Sequence, residues 1–148
     1  MIREELKKIY LKLLYPFLIL LALIYLGQFL GIFNRAEKEF SKALSVTFLV
    51  FAALFSVALP IFYRSLFANK VKDRKSITVK EFLKFEKNLI IIAMIAPYFL
   101  VFTVLLNLSG FYFGTIVIIA LYAVYYYYPS EKRVEFEKKL FRISEVGG

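Results

Sequence analysis

Three uncharged stretches alternate with charged segments along this chain. They run from Leu13 to Asn34, from Ala43 to Tyr63 and from Asn88 to Ser130, and they contain 22, 21 and 43 residues. A lipid core about 30 Å thick takes roughly 20 apolar helical residues per crossing. The first two stretches therefore predict one membrane span each, and the third predicts two.

The longest stretch divides at Asn107 to Gly110, which is its only cluster of turn-forming residues. The predicted spans are then about 13–33, 44–63, 88–106 and 111–128. A turn this short predicts a tight antiparallel hairpin of spans three and four.

Three charged segments show the spacing of amphipathic helices, with apolar residues recurring at i, i+4 and i+7. They are 2–12, 78–87 and 130–143. Thr78 and Glu81 form a capping-box pattern, and the helix that they open is expected to continue into span three.

The last amphipathic segment follows Pro129, and Ser130 is its expected N-cap. Its helix is predicted to reach about Ile143. Arg133 and Glu137 interrupt the apolar half of that helix, and we interpret them as a local i, i+4 pair.

Composition supports a single membrane domain over residues 1–148. The chain is 61% hydrophobic with a mean hydropathy of +0.69, so four spans leave no room for a separate soluble domain. The predicted fold class is an all-α polytopic membrane protein, a four-helix bundle with amphipathic interfacial helices. Without cysteine or histidine, a disulfide, a thiolate nucleophile or an imidazole-ligated metal is not expected. We expect no cofactor and no metal.

The positive charges are distributed very unevenly. Four crossings place 17 Lys and Arg residues on the side of both termini and the middle loop, against three on the other side. The positive-inside rule makes the richer side cytoplasmic. We expect a protein of the prokaryotic inner (plasma) membrane, and the net charge of +9 is then an orientation signal that does not indicate nucleic acid.

The densest basic patch lies in and around the middle loop. Juxtamembrane cations attract anionic headgroups, so these residues predict contact with membrane lipids at the cytoplasmic face. A loop that simply obeys the positive-inside rule, or a specific phosphate site, would have the same composition. The residues are Arg64, Lys70, Lys72, Arg74, Lys75, Lys80, Lys84 and Lys87.

Two GxxxG motifs are candidates for helix packing. Gly27 and Gly31 lie near the outer end of span one, and Gly110 and Gly114 lie at the outer end of span four. Small residues let helix backbones approach closely in lipid. The motifs predict contact between spans one and four or across a homodimer axis, unless glycine has no special role there.

Pro60 and Pro97 are predicted kinks. Each removes a backbone donor and frees the carbonyl four residues earlier, at Ser56 and at Ala93. Broken helices in transporters use such carbonyls to bind ions or substrate. An ordinary kink is the simpler interpretation.

Few polar side chains occur within the spans. The candidates are Gln28, Ser56, Thr103 and Asn107, and we expect Gln28 and Asn107 to form hydrogen bonds between helices or within a turn. No Asp, Glu or His lies in a span, which argues against a proton-coupled exporter or a proton channel. The acidic residues fall in Lys-rich segments, so we expect solvated partners of lysine there and no catalytic residue.

A run of tyrosines ends span four, at Tyr122 and Tyr125 to Tyr128. Tyrosine favours the membrane interface. Four consecutive residues point all round a helix, so one or two should pack inward or against a partner. An aromatic-lined ligand pocket is the alternative.

These features favour a non-enzymatic interaction, accessory or assembly subunit that binds another membrane protein or a second copy of itself. The alternative is a small oligomeric transporter or channel for a neutral or anionic solute. A lipid-modifying enzyme would need the basic loop to meet Asp73 or Glu86. In layout the chain loosely resembles four-span accessory proteins such as ATP synthase protein I, although no motif assigns it to a family.

Overall fold

A computed structural model describes residues 1–32, 41–106, 108 and 110–144 of the chain, and these residues are almost entirely helical. The all-α prediction is therefore confirmed. The helices are α1 (Ile2–Phe29), α2 (Lys42–Ala53), α3 (Leu59–Val71), α4 (Val79–Ala93), α5 (Ile95–Leu106), α6 (Gly110–Tyr126) and α7 (Glu131–Leu140). A π-helical turn, Leu54–Ala58, joins α2 to α3, and two short strands, β1 (Ile77–Thr78) and β2 (Ile143–Ser144), pair in parallel.

Three helical stretches among the described residues are long and apolar enough to cross a membrane. They are Ile2–Phe29, Lys42–Val71 and Val79–Leu106. The third is central, since half of its most apolar window is buried inside the protein, against 17% and 22% in the other two. This stretch contacts α1 on one side, while α2 and α6 pack against its second half, α5.

The fourth predicted span corresponds to α6, which has 17 residues. A bend of 72° separates α6 from α7, and the two helices would count as one broken span if both entered the membrane. The bend lies where the apolar segment ends and the charged helix α7 begins.

Both predicted caps are present. Thr78 Oγ1 accepts a hydrogen bond from the Glu81 backbone N–H at 3.3 Å, and Ser130 Oγ accepts one from the Arg133 N–H at 3.3 Å. Helix α4 continues through Asn88 without interruption, as predicted. Each cap satisfies a backbone donor that the first turn of a helix leaves free.

Helix α7 ends at Leu140, before the predicted end near Ile143. Arg142 adopts a left-handed conformation with φ of 54°, and the chain then pairs Ile143 with Ile77 in the parallel β1–β2 ladder. The last described residues are thus attached to the loop between α3 and α4.

The helices are irregular near both prolines of the predicted kinks. Pro60 is the second residue of α3, directly after the π-helical turn, and Pro97 is the third residue of α5, after a break at Met94. Proline lacks a backbone donor, so an irregular turn before it removes the need for that hydrogen bond.

Candidate functional site

Aromatic rings hold the charged segments together at one end of the molecule. Phe85 of α4 stacks on Phe67 of α3 with 4.0 Å between ring centroids, and Phe141 meets Phe85 edge-on at 5.3 Å. Phe85 and Phe141 are buried. We call this end the basic end; it contains the start of α1, the end of α3, the start of α4 and all of α7.

Two buried ion pairs tie α7 to the other helices of the basic end. Arg64 Nη1 of α3 lies 2.8 Å from Glu137 Oε1 of α7, and Arg133 Nη2 of α7 lies 2.8 Å from Glu86 Oε2 of α4. Arg133 also donates to the Tyr127 carbonyl at 3.0 Å. We call Arg64, Glu86, Arg133 and Glu137 the charge cluster.

Both carboxylates of the charge cluster are buried, and both arginine side chains are partly exposed. The side chains of Glu86 and Glu137 are 1% and 4% exposed, whereas those of Arg133 and Arg64 are 14% and 31% exposed. One oxygen of each carboxylate, Glu86 Oε1 and Glu137 Oε2, has no hydrogen-bond partner among the described residues.

Burial raises the pKa of both carboxyl groups. Glu86 precedes the uncharged segment from Asn88 to Ser130, and Glu137 follows it. Desolvation raises the pKa of Glu86 to about 7, against the attraction of the Arg133 guanidinium. Desolvation likewise raises the pKa of Glu137, against the attraction of Arg64 and Arg133. The carboxyl groups of Glu86 and Glu137 therefore hold their protons more strongly than exposed carboxyl groups do.

The predicted local pairing of Arg133 with Glu137 is wrong. Each residue instead pairs with a different helix, Arg133 with Glu86 of α4 and Glu137 with Arg64 of α3. Spacing within one helix cannot reveal partners on others. The sequence did contain one indication: Arg133 and Glu137 interrupt an apolar face, and a charge on a buried face needs a partner of opposite charge.

The expectation that the acidic residues are solvated also fails for Glu86 and Glu137. Arg64, which the sequence assigned to lipid headgroups, pairs with Glu137 and keeps 31% of its side chain exposed. The other seven residues of the predicted patch that extends from Lys70 to Lys87 are exposed. Among them Arg74 binds both oxygens of Glu81 at 3.0 Å, and its hydrogen bond lowers the pKa of Glu81.

An open groove of about 740 Å³ lies in the angle between α6 and α7. We call it the elbow groove. Its wall combines apolar and aromatic side chains of α6 with cationic side chains of α3 and α7. The lining residues are Tyr10, Arg64, Leu121, Val124, Tyr125, Tyr126, Tyr128, Ser130, Lys132, Arg133, Phe136 and Glu137.

The four consecutive tyrosines are divided between the core and the surface, as predicted. Tyr127 is buried, and Tyr128 packs edge-on against Tyr10 with 5.4 Å between ring centroids. Tyr10 in turn donates to the Val124 carbonyl at 2.5 Å, which joins α1 to α6. Tyr125 is 86% exposed on the wall of the elbow groove.

Three of the four candidate polar side chains of the predicted spans contact backbone carbonyls. Ser56 Oγ donates to the Ala53 carbonyl at 3.3 Å, and Thr103 Oγ1 donates to the Leu100 carbonyl at 2.7 Å. Gln28 Nε2 approaches the Val104 carbonyl at 3.5 Å, between α1 and α5. Asn107 lies outside the described residues.

Three of the four glycines of the GxxxG motifs lie in open space. A Cβ atom built at Gly31, Gly110 or Gly114 would meet nothing within 4 Å, whereas Gly27 is buried in α1. Contact between spans one and four at the motifs and contact across a homodimer axis both stay predictions.

A second groove lies on the side of the bundle, between α2 and α5. Its volume is about 370 Å³ and its lining exposes only apolar surface. We call it the lateral groove. It is lined by Leu44, Thr47, Phe48, Phe51, Phe55 and Phe99.

Comparison of the chain with protein families, with curated proteins and with solved structures finds no match. The chemistry of the two grooves and of the charge cluster is therefore the basis for assigning a function.

Proposed function

We propose that this protein is a non-enzymatic accessory or assembly subunit that binds another membrane protein through its spans. In this proposal it crosses the prokaryotic inner membrane four times, at about 13–33, 44–63, 88–106 and 111–128. Both termini and the basic end then lie in the cytoplasm.

The four-span arrangement is supported by the length of α6 and by the position of the charges. Seventeen helical residues extend about 26 Å, close to the thickness of a lipid core, so α6 can cross without α7. The bend before α7 follows Pro129, where charged residues begin. An α7 that lies along the membrane surface keeps Lys132, Lys138 and Lys139 out of lipid.

One observation favours a binding role over conduction: the described candidates Gln28, Ser56 and Thr103 lie in different parts of the bundle, and each contacts a backbone carbonyl. A pathway for a solute needs polar groups of several spans to converge on one cavity. Ser56 and Thr103 instead bond to carbonyls of their own helices, three residues back. These hydroxyls are buried and offer nothing to a passing solute.

The lateral groove is the proposed contact. Leu44, Thr47, Phe51 and Phe55 follow one another along α2 and the π-helical turn at helical spacing, over about 16 Å. An elongated apolar surface inside a lipid layer fits a transmembrane helix laid lengthwise, which gains packing contacts that fluid acyl chains do not provide. The proposed occupant is therefore an apolar helix of another membrane protein.

Site-specific photocrosslinking tests the contact. A benzophenone amino acid is placed at Phe51 in the lateral groove, or at the matched control Phe62, which is 61% exposed and lies outside the groove lining. After irradiation in cells, we expect one protein adduct from position 51 and none from position 62. Affinity purification in mild detergent should recover the same partner in fixed stoichiometry with the unmodified chain.

The substitution Phe51→Ala should reduce that recovery, while Phe62→Ala should leave it unchanged. Adducts formed only with lipid, or formed equally from both positions, would contradict the proposal. A pure homodimer that exchanges solute in liposomes would favour the transporter alternative instead.

A further inference from the structure

We propose that the elbow groove binds one anionic phospholipid, with its headgroup at Lys132, Arg64 and Arg133 and an acyl chain along α6. The inference rests on the proposed position of the basic end at a membrane surface, and it does not depend on the accessory role.

The wall of the elbow groove has an apolar part on α6 and a cationic part at the start of α7. Leu121 and Val124 belong to the uncharged segment of α6, and Tyr125 and Tyr128 follow them. Beyond Pro129 the wall continues with Ser130, Lys132 and Arg133. Tyrosine marks the boundary between acyl chains and headgroups. The groove therefore spans that boundary, as an amphiphilic ligand would.

The exposed charge of the groove is positive although the charge cluster contains two carboxylates. Glu137 has little contact with solvent, and its bonded oxygen faces Arg64. Arg64 keeps about a third of its side chain exposed, and Lys132 is exposed without an ion pair or hydrogen bond to any described residue. A ligand in the groove thus meets cations, while the compensating carboxylates lie behind them.

A lipid fits this wall better than a free anion does. Inorganic phosphate would engage the cations but leave the apolar wall, including Phe136 at 61% exposure, without a partner. A phospholipid with a net negative headgroup covers both parts, because its acyl chain lies along the apolar wall while its phosphate meets the cations. Arginine and lysine are suited to the phosphate group at its centre.

The absence of tryptophan from the chain permits a direct test. The substitution Leu121→Trp places a single fluorophore on the groove wall, at a position that is 64% exposed. The matched reporter is Ile118→Trp, also on α6, 68% exposed and outside the groove lining. Each full-length variant is reconstituted into vesicles that contain brominated phosphatidylglycerol or brominated phosphatidylcholine, and quenching of the tryptophan gives relative lipid binding.

We expect the Leu121→Trp reporter to favour phosphatidylglycerol over phosphatidylcholine by about fivefold or more, and the Ile118→Trp reporter to favour neither. Adding Lys132→Gln to the groove reporter should lower the preference about fivefold, the factor that one juxtamembrane cation contributes. Lys139→Gln is the control, since Lys139 is exposed on the same helix and does not line the groove. Neither lysine has a described side-chain partner, so neither substitution should disturb the fold.

Equal quenching of the groove reporter by the two lipids would overturn the proposal. So would a preference that Lys132→Gln and Lys139→Gln reduce equally, which would indicate a general attraction to the surface. Displacement of the lipid by millimolar inorganic phosphate, but not by chloride at the same ionic strength, would assign the site to a free anion. If neither brominated lipid quenched the groove reporter, a second copy of the chain would occupy the groove and the proposal would be wrong.

Discussion

Arg133 of α7 donates a hydrogen bond to Glu86 of α4, with 2.8 Å between Nη2 and Oε2 and 47 residues between the two positions in the chain. Glu86 is 1% exposed, so this pair connects two amphipathic helices below the protein surface. The connection also fixes one wall of the elbow groove, because Arg133 lines it. The ion pair between Arg133 and Glu86 therefore connects helices of the basic end, outside the uncharged spans.

Removing Arg133 should destabilise the fold. At pH 8 we expect Arg133→Met to lower the free energy of unfolding by about 3 kcal/mol, because Glu86 loses its buried partner. The measurement is denaturant unfolding in detergent, followed by the helical circular dichroism signal. Lys138→Met is the control. It breaks the more exposed pair with Glu135 and should cost less than about 1 kcal/mol. Equal effects would show that the buried pair contributes no more than a surface pair.

Stability should depend on pH through Glu86. Its pKa is about 7 in the folded protein and 4.5 when exposed, so between these values the folded state binds more protons than the unfolded state. The free energy of unfolding should therefore fall as pH rises from about 4.5 to about 7, and should change less above that range.

The variant Glu86→Gln should flatten this dependence, leaving the smaller part that comes from Glu137, whose pKa is also raised. Glu135→Gln, at an exposed position of α7, should keep the full dependence. A free energy of unfolding that increases between pH 4.5 and pH 7 would contradict a raised pKa of Glu86 in the folded protein.

The aromatic contacts at the basic end should contribute strongly to stability. Phe85 is buried and contacts the rings of Tyr63, Phe67 and Phe141. We expect Phe85→Ala to cost about 3 to 5 kcal/mol of unfolding free energy, because it leaves a cavity between α3, α4 and the end of α7. Phe62→Ala, at an exposed position, should cost about 0.5 kcal/mol or less. Similar losses for both variants in detergent would argue against this packing.

The proposed orientation can be checked with single cysteines, since the chain has none. A membrane-impermeant maleimide should label Lys75→Cys and Lys139→Cys in inside-out vesicles but not in intact cells. Lys42→Cys, in the proposed outer loop between spans one and two, should show the reverse pattern. All three positions are exposed. Labelling of Lys75→Cys and Lys42→Cys from the same side would exclude an odd number of crossings between them and so contradict the four-span proposal.

Local patterns in the sequence were sufficient where one element determines the structure. The side-chain oxygens of Thr78 and Ser130 cap helices as predicted, because a cap depends on residues only three positions apart. The tyrosine run is divided into buried and exposed members as predicted, although α6 ends at Tyr126 and the buried Tyr127 follows it. Helix α7 ends at Leu140 rather than near Ile143 as predicted, because Ile143 pairs with Ile77 in the β-ladder and cannot also extend the helix. That pairing is not local, and no pattern within α7 reports it.

The sequence by itself determined that the chain is helical and apolar enough to lie in a membrane, because uncharged length and helical periodicity are properties of single segments. Tertiary structure decided the partners of Arg64, Glu86, Arg133 and Glu137 and the place of the elbow groove. Both arise where α7 meets α3 and α4, and the side chains that pair there are 47 to 73 positions apart. Burial at that junction, rather than spacing within any helix, determines which charges pair and which stay exposed.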